Sequence, residues 1–363
     1  MSETAPWSDA DVGFMRRALA LAMRGWGQTS PNPMVGAVVV RDGAIIGEGF
    51  HARFGAEHAE PAALAAAGDR ARGATLYVTL EPCTHEGKRP PCVPAVIGAG
   101  VTRVVIAARD PNPVASGGVE ALRAAGVDVA VGLGQDEAIE LNAPFFNRFT
   151  SDRPWVTLKL ALSLDGAIAD ESRKSGWLTG SAARREVHRQ RAAADAIAVG
   201  IGTALADDPK LTVRGVPRPR IAPARVIFDH GARLPLDSHL VKSIGDARLV
   251  IVTNGSAPDR EIALERAGAT ILRVAGTANA LRALKTMGIN SLYAEGGAGL
   301  AGALLGSRVV DRLIIFRAPV ILGANALHGL SEAPASPVEA APRFRLVRHR
   351  RLGDDDMTIY APL

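Results

Sequence analysis

The sequence predicts two consecutive α/β domains, with a boundary between about residues 142 and 154. The 363 residues exceed what one domain of about 150 residues needs. Short apolar, β-branched runs alternate with helical patterns along both halves, the rhythm of a layered α/β chain. That rhythm breaks once, at Asn142 to Pro154, where Phe145, Phe146, Thr150, Ser151 and Asp152 fit neither pattern. Residues 1–150 therefore form one domain and residues 151–363 the other. With 47% hydrophobic and 22% charged residues, both halves can bury a core, which excludes a disordered or fibrous chain.

In order along the chain, Ser8 caps a helix to about Gly25 whose apolar face is Phe14, Leu19, Leu21 and Ala22. Two β-rich arms around Asp42-Gly43 make a hairpin. A helix over about 58–67, a strand over 75–80, a helix after Pro90-Pro91, strand 103–108, helix 117–125 and strand 127–131 complete the first half. The second half opens with strand 155–161, helix 181–193 and strands 196–200, 225–229 and 248–253. Helices 258–267 and 278–287, strand 291–294, helix 299–306, strand 311–317 and a last strand near 356–361 follow. No repeat links the halves, so the two domains differ.

The sharpest chemical signal lies in the first half. His58-Ala59-Glu60 opens a helix, and Pro82-Cys83-Thr84-His85-Glu86-Gly87-Lys88-Arg89-Pro90-Pro91-Cys92 follows it. The chain has two cysteines, both here. That number excludes a disulfide-stapled scaffold and leaves either two buried thiols or a metal pair. One His and two Cys suit a catalytic zinc that keeps its fourth position for water. Cys92 begins a helix behind two prolines, where the dipole favours a thiolate. Glu60, two residues from His58, can take a proton from water and pass it to a leaving nitrogen.

His-x-Glu followed by Pro-Cys is the signature of the zinc nucleobase deaminases. Most members place two residues between the cysteines, whereas this chain has a longer insert. That insert, with Pro31-Asn32-Pro33, Val35-Gly36 and His51, resembles the deaminase domain of the bifunctional riboflavin-biosynthesis enzymes over about residues 10–150. The resemblance implies a cytidine-deaminase-like three-layer α/β domain with zinc on His58, Cys83 and Cys92 and with Glu60 shuttling protons. It also implies that Asn32, His51, His85 and Lys88 contact the base and the phosphoribosyl group. Asn32 equally suits a turn between prolines, and His85 and Lys88 a solvated loop. Pro61 stands where the family often has an aliphatic residue, but it falls in the first helical turn.

In the second half, residues 291–305 carry a strand into Glu295-Gly296-Gly297 and an apolar helix. Such a turn lets backbone N–H groups meet a phosphate. It is not a strict G-x-G-x-x-G run in a βαβ unit, which excludes a standard Rossmann domain. Ahead of it stand Trp155 to Leu160, Ser163-Leu164-Asp165-Gly166, Ser175-Gly176-Trp177, Ile201-Gly202-Thr203 and Asp207-Asp208-Pro209 with Leu211 and Arg214. In that order, over about residues 153–330, they resemble the reductase domain of the same enzymes.

The resemblance implies a dihydrofolate-reductase-like α/β domain that uses NADPH to reduce a ribosyl to a ribityl chain. The implied cofactor positions are Leu162, Trp177, Thr203, Asp207, His230 and the run Gly297, Ala298, Gly299, Leu300, Ala301, Gly302 and Ala303. Family members often have Ser where His230 stands. Ser175, Arg191, Leu211, Arg214 and Glu295 match substrate positions, the arginines as phosphate partners. Lys159 is a candidate for orienting or protonating the sugar oxygen, and otherwise a lysine at a strand edge. Asp207-Asp208-Pro209 also reads as an ordinary turn.

The formal charge of +5 comes from scattered arginines, and aromatics are only 4%. No stacking platform or basic run is present, so a small anionic partner is expected and a nucleic acid is not. The start lacks the order of a signal peptide, and no apolar run reaches the roughly 18 residues of a membrane span. The expectation is a cytoplasmic homo-oligomer containing one zinc and using NADPH. It deaminates 2,5-diamino-6-(5-phosphoribosylamino)pyrimidin-4-one and then reduces its ribosyl group. A tRNA or nucleoside deaminase with an unrelated C-terminal binding domain stays open. A non-enzymatic zinc module is disfavoured, since structural zinc usually takes four protein ligands.

Overall fold

The Ser8 hydroxyl accepts a hydrogen bond from Asp11 N, and the Asp11 carboxylate accepts one from Ser8 N. This capping box starts α1 (Asp9–Ala22). The computed structural model describes residues 7–173 and 176–363, so Ser175 lies outside the described residues. The chain divides into two units, residues 1–150 and 151–363.

In the first unit, β1 (Gly36–Arg41) and β2 (Ala44–Phe50) are joined through Asp42 and Gly43, both at positive φ (50° and 75°). That backbone matches the twist of a two-residue hairpin. The helix α2 (Ala59–Ala67), β3 (Thr75–Leu80), α3 (Cys92–Gly98), β4 (Arg103–Ala108), α4 (Gly118–Ala124), β5 (Asp128–Val131), α5 (Gln135–Leu141) and α6 (Ala143–Thr150) follow. The sheet order is β2-β1-β3-β4-β5, antiparallel at β1 and parallel from β3 onward.

Successive strand residues feed opposite faces of this sheet. Val39, Leu76, Val78, Val104 and Ile106 pack with α2, α3 and α4. Val38, Tyr77, Val105 and Ala107 pack with α1 and α5. The result is the expected three-layer arrangement.

Two expectations need correction. The covered side of α1 is Met15, Ala18, Leu21 and Ala22, with Phe14 and Leu19 only partly buried. The segment from Asn142 breaks the pattern only in part, because Ala143–Thr150 fold as α6, the last helix of the first unit. The Asn142 side chain accepts from Met34 N at 2.8 Å and donates to Met34 O at 2.9 Å. Phe145 meets the rings of Phe146 and Phe149 edge to face. The long-range Asn142–Met34 clamp, together with these ring contacts within α6, outweighs the weak helix propensity of Asn, Phe and Thr.

The second unit contains, in order, β6 (Trp155–Leu162), β7 (Ala167–Ala169), α7 (Ser181–Ala192), β8 (Ala196–Gly200), α8 (Ile201–Asp207), β9 (Ala224–Phe228), α9 (His239–Lys242), β10 (Leu249–Thr253), α10 (Pro258–Arg266) and β11 (Thr270–Arg273). Next come α11 (Thr277–Thr286), β12 (Ser291–Glu295), α12 (Ala298–Gly306), β13 (Arg312–Arg317), β14 (Leu327–His328), β15 (Phe344–Leu352) and β16 (Asp355–Pro362). Among the described residues the main sheet runs β11-β10-β9-β8-β12-β6-β13-β16-β15. It is parallel up to β13 and antiparallel beyond.

Val156, Leu158 and Leu160 of β6 share a core with Leu281 and Leu284 of α11 and Leu300 and Leu304 of α12. Ile197, Ile227 and Ile251 join Leu240 of α9 and Leu264 of α10 in another core. Burial on both faces explains the continuous apolar runs of these strands. The arginine-rich β15, not expected from the sequence, is an edge strand, where charge guards unpaired backbone. Among the described residues no helix is long and apolar enough to cross a membrane.

Candidate active sites

His58 immediately precedes α2 with an extended backbone, Cys83 follows β3, and Cys92 is the first residue of α3. The backbone N–H groups of Cys92 and Val93 both donate to Cys83 O, at 3.1 and 3.3 Å, which pins the two thiol segments together. One donor atom from each of His58, Cys83 and Cys92 lies within 4.8 Å of the others. His58 Nδ1 is 3.2 Å from Cys92 Sγ and 3.6 Å from Cys83 Sγ. Tetrahedral zinc with ordinary bond lengths separates N and S ligands by about 3.6 Å, so this donor set fits the ion. The Cys83 thiol is pushed down by hydrogen bonding from Cys92 and then His58, whereas the bond Cys92 gives to Cys83, together with burial, pushes Cys92 up.

Glu60 sits in the first turn of α2 and is 3% exposed. Burial pushes its carboxyl up to about 7, and the charge on Cys83 adds to the effect. A carboxyl tuned there exchanges protons readily at neutral pH.

Glu81, just before Pro82-Cys83, accepts from Asp110 N, Gly117 N and Val119 N at 3.0–3.1 Å. The start of α4 presses on the same segment: a Cβ at Gly118 would lie 2.0 Å from Pro82 O. Gly118→Ala is therefore expected to displace Cys83. Overpacking of this kind costs about 1–3 kcal/mol, read as a lower Tm and faster zinc loss to a chelator. Wild-type zinc retention in that variant would count against this coupling.

A cavity of about 270 Å³ gathers Asn32, His51, His58, Glu60, Cys83, His85 and Lys88, while Cys92 is fully buried. His51 Nδ1 lies 3.0 Å from Glu57 O, a carbonyl that can only accept, so this nitrogen carries the proton. His51 Nε2 then accepts from Asn32 Nδ2 at 3.3 Å. Burial lowers the pKa of His51, so the ring is neutral near pH 7. The Nδ1 of His85 is buried without a hydrogen-bond partner among the described residues.

Sequence reasoning missed Asp110 and Asn112, and Phe145, Arg148 and Phe149 of α6, which line the same cavity. Burial pushes Asp110 up to about 6. Asp110-Pro111-Asn112-Pro113 was a visible turn signal after a strand. The α6 residues were hidden because their segment read as a break in the α/β pattern at the domain boundary.

In the second unit, β6 and β12 pair with Lys159 beside Glu295. Arg191 on α7 grips the Glu295 carboxylate through Nε and through Nη2, the latter at 2.9 Å, and donates from Nη1 to Thr212 O at 2.9 Å. Against burial, which raises it, the Arg191 guanidinium holds Glu295 down to about 2. Lys159 is lowered by burial, with Glu295 opposing that shift. His188 Nδ1 faces Arg214 N at 3.3 Å.

Gly297 caps α12, and a Cβ there would lie 2.8 Å from Thr203 Oγ1, so the two form a close cradle at a helix N-terminus. Ala298 and Gly299 complete its first turn, Leu300, Ala301 and Gly302 are buried, and Ala303 is exposed. Leu162 and Leu211 are buried, and Asp207 closes α8. Trp177 is 76% exposed with the Arg184 guanidinium 4.9 Å from its ring, and His230 is exposed just beyond β9.

The pairing of Arg191 with Glu295 has a pH signature. Glu295 titrates near 4.3 when unfolded and about 2 when folded, so its stabilisation is complete above the unfolded value and lost as pH falls toward 2. In Glu295→Gln, thermal unfolding from pH 7 to pH 2.5 is expected to show a lower Tm at neutral pH. Its dependence on acid should be shallower than in the wild type.

Residues 8–108 match the family described as the cytidine and deoxycytidylate deaminase zinc-binding region, and residues 154–357 match the RibD C-terminal domain. The second match removes the alternative of an unrelated C-terminal binding domain. The riboflavin biosynthesis protein RibD of Aquifex aeolicus is 40% identical, with 96% of this chain and 97% of that protein covered. The solved structure of Acinetobacter baumannii RibD superposes with a TM-score of 0.85 at 38% identity, covering 98% and 99% of the two chains. A diaminohydroxyphosphoribosylaminopyrimidine deaminase/5-amino-6-(5-phosphoribosylamino)uracil reductase from Thermotoga maritima gives 0.84 at 37% identity, covering 97% and 98%. From the zinc-fitting triad at one end to the matched reductase unit at the other, the chain belongs to the RibD family of riboflavin biosynthesis proteins.

Proposed function

We propose that the chain performs two successive reactions on one phosphorylated pyrimidine. The first unit hydrolyses the amino group of 2,5-diamino-6-(5-phosphoribosylamino)pyrimidin-4-one, and the second reduces the ribosyl group of the product to ribityl phosphate with NADPH. The observation that carries the reading is the donor set His58, Cys83 and Cys92 with buried Glu60 lining the adjoining cavity.

Zinc bound by these three residues supplies a Lewis acid that makes water a nucleophile near neutral pH. Glu60 takes a proton from the attacking water and returns one to the departing nitrogen, so water is consumed and ammonia released. Neutral His51 and the Asn32 amide it orients offer hydrogen-bonding groups to the ring, and His85 and Lys88 serve the phosphoribosyl end. In the second unit, NADPH supplies the hydride when bound along the Gly297–Thr203 cradle. Lys159 orients or protonates the sugar oxygen, beside a Glu295 kept ionised by Arg191. The reading also places Ser175, Leu211 and Arg214 at the substrate, and Leu162, Trp177, Asp207 and His230 at the cofactor. Cytoplasmic placement, where thiol ligands stay reduced, and a homo-oligomeric state belong to the same reading.

The test supplies zinc-loaded protein with the diaminopyrimidinone ribose phosphate and follows ammonia and NADPH together. Release of ammonia with oxidation of NADPH is expected. Neither signal appearing would end the reading.

A further inference from the structure

Charge is sorted along the cavity of the first unit. Its acids Glu60 and Glu81 are buried, and Glu81 accepts three backbone N–H groups. Asp110 is half-buried and accepts from Asn112 N at 2.8 Å. The exposed ionic residues of the lining are all cations: Lys88, Arg89 and Arg148. Lys88 Nζ stands 4.5 Å over the Phe54 ring, and Arg89 Nε donates to Gly55 O at 3.0 Å, so both are held from the loop before α3.

Arg148 comes from a different element. Phe145, Arg148 and Phe149 are spaced i, i+3 and i+4, one face of α6, and all three line the cavity. The Asn142 clamp on Met34 and the edge-to-face contact of Phe145 with Phe149 fix that face. A ligand filling this space meets proton-shuttling and metal-binding groups at its buried end and cations at its exposed end.

We propose that Arg148 is a specificity residue that recognises the phosphate monoester of the deaminase substrate, acting with Lys88 and Arg89. This rests on the deaminase reading above and adds to it the residue that separates a nucleotide-like substrate from its dephosphorylated counterpart. A guanidinium suits this role because its fork of donors matches phosphate oxygens.

The test compares kcat/KM for ammonia release from the phosphorylated aminopyrimidine and from its dephosphorylated form, in wild type, Arg148→Ala and Arg148→Lys. Wild type should prefer the phosphorylated compound, and that preference should weaken with added salt. In Arg148→Ala the ratio of the two kcat/KM values should fall roughly 10- to 100-fold, the worth of one charge-assisted hydrogen bond, with the loss carried by KM. Arg148→Lys should restore part of it. An unchanged ratio, or equal losses on both compounds as from a disturbed α6, would overturn the inference. If wild type releases no ammonia from either compound, the deaminase reading itself fails, a result distinct from an unchanged ratio.

Discussion

Glu60→Gln abolishes ammonia release while the protein keeps its zinc. The glutamine has the same shape, and Glu60 lies outside the His58, Cys83 and Cys92 donor cluster, so the metal site is left whole. What disappears is the carboxyl that accepts and returns a proton. General acid–base groups contribute roughly 10²- to 10⁴-fold, and losses toward the upper end are expected where one group serves both water and the leaving nitrogen. The fold should survive, because burial already disfavours the charge of this carboxyl and the neutral amide carries none. Ammonia release measured beside metal content decides the matter. A variant that retains zinc and more than about a tenth of wild-type turnover would contradict the assignment.

Cys83→Ser has a broader effect, with zinc and ammonia release lost together. A serine hydroxyl does not ionise near neutral pH, and only the thiolate is the metal ligand. Deaminase turnover should fall by roughly 1000-fold or more, because without the metal no water is activated. NADPH oxidation with the already deaminated compound should persist, since Lys159, Glu295 and Arg191 belong to the other unit. Together the two variants separate chemistry from metal binding. Zinc content distinguishes them, and ammonia release does not.

The metal site was legible because its residues sit in short, chemically unusual runs. His58-x-Glu60 and the only two cysteines announce themselves without any knowledge of the fold. The alternation of β3, β4, β6, β8, β10 and β12 with helices was legible too, since buried parallel strands are continuous apolar runs. What escaped depends on contacts between distant segments. Nothing local in Asn142 shows that it will clamp Met34 beside the helix α6 that walls the cavity. Arg191 read as a phosphate partner, and only the fold that brings α7 to the end of β12 reveals that its guanidinium grips the Glu295 carboxylate. β15 failed for the opposite reason: its arginines look like a solvated run, and only its place at the sheet edge makes them a strand.

The most direct test of two sites acting in sequence on one chain is a chelation experiment with both substrates. Protein stripped of zinc is given the diaminopyrimidinone ribose phosphate or, separately, its deaminated product, each with NADPH. The account predicts neither ammonia release nor NADPH oxidation from the first compound and undiminished NADPH oxidation from the second, with both signals returning when zinc is restored. NADPH oxidation from the first compound without zinc, or its loss from the second, would contradict it.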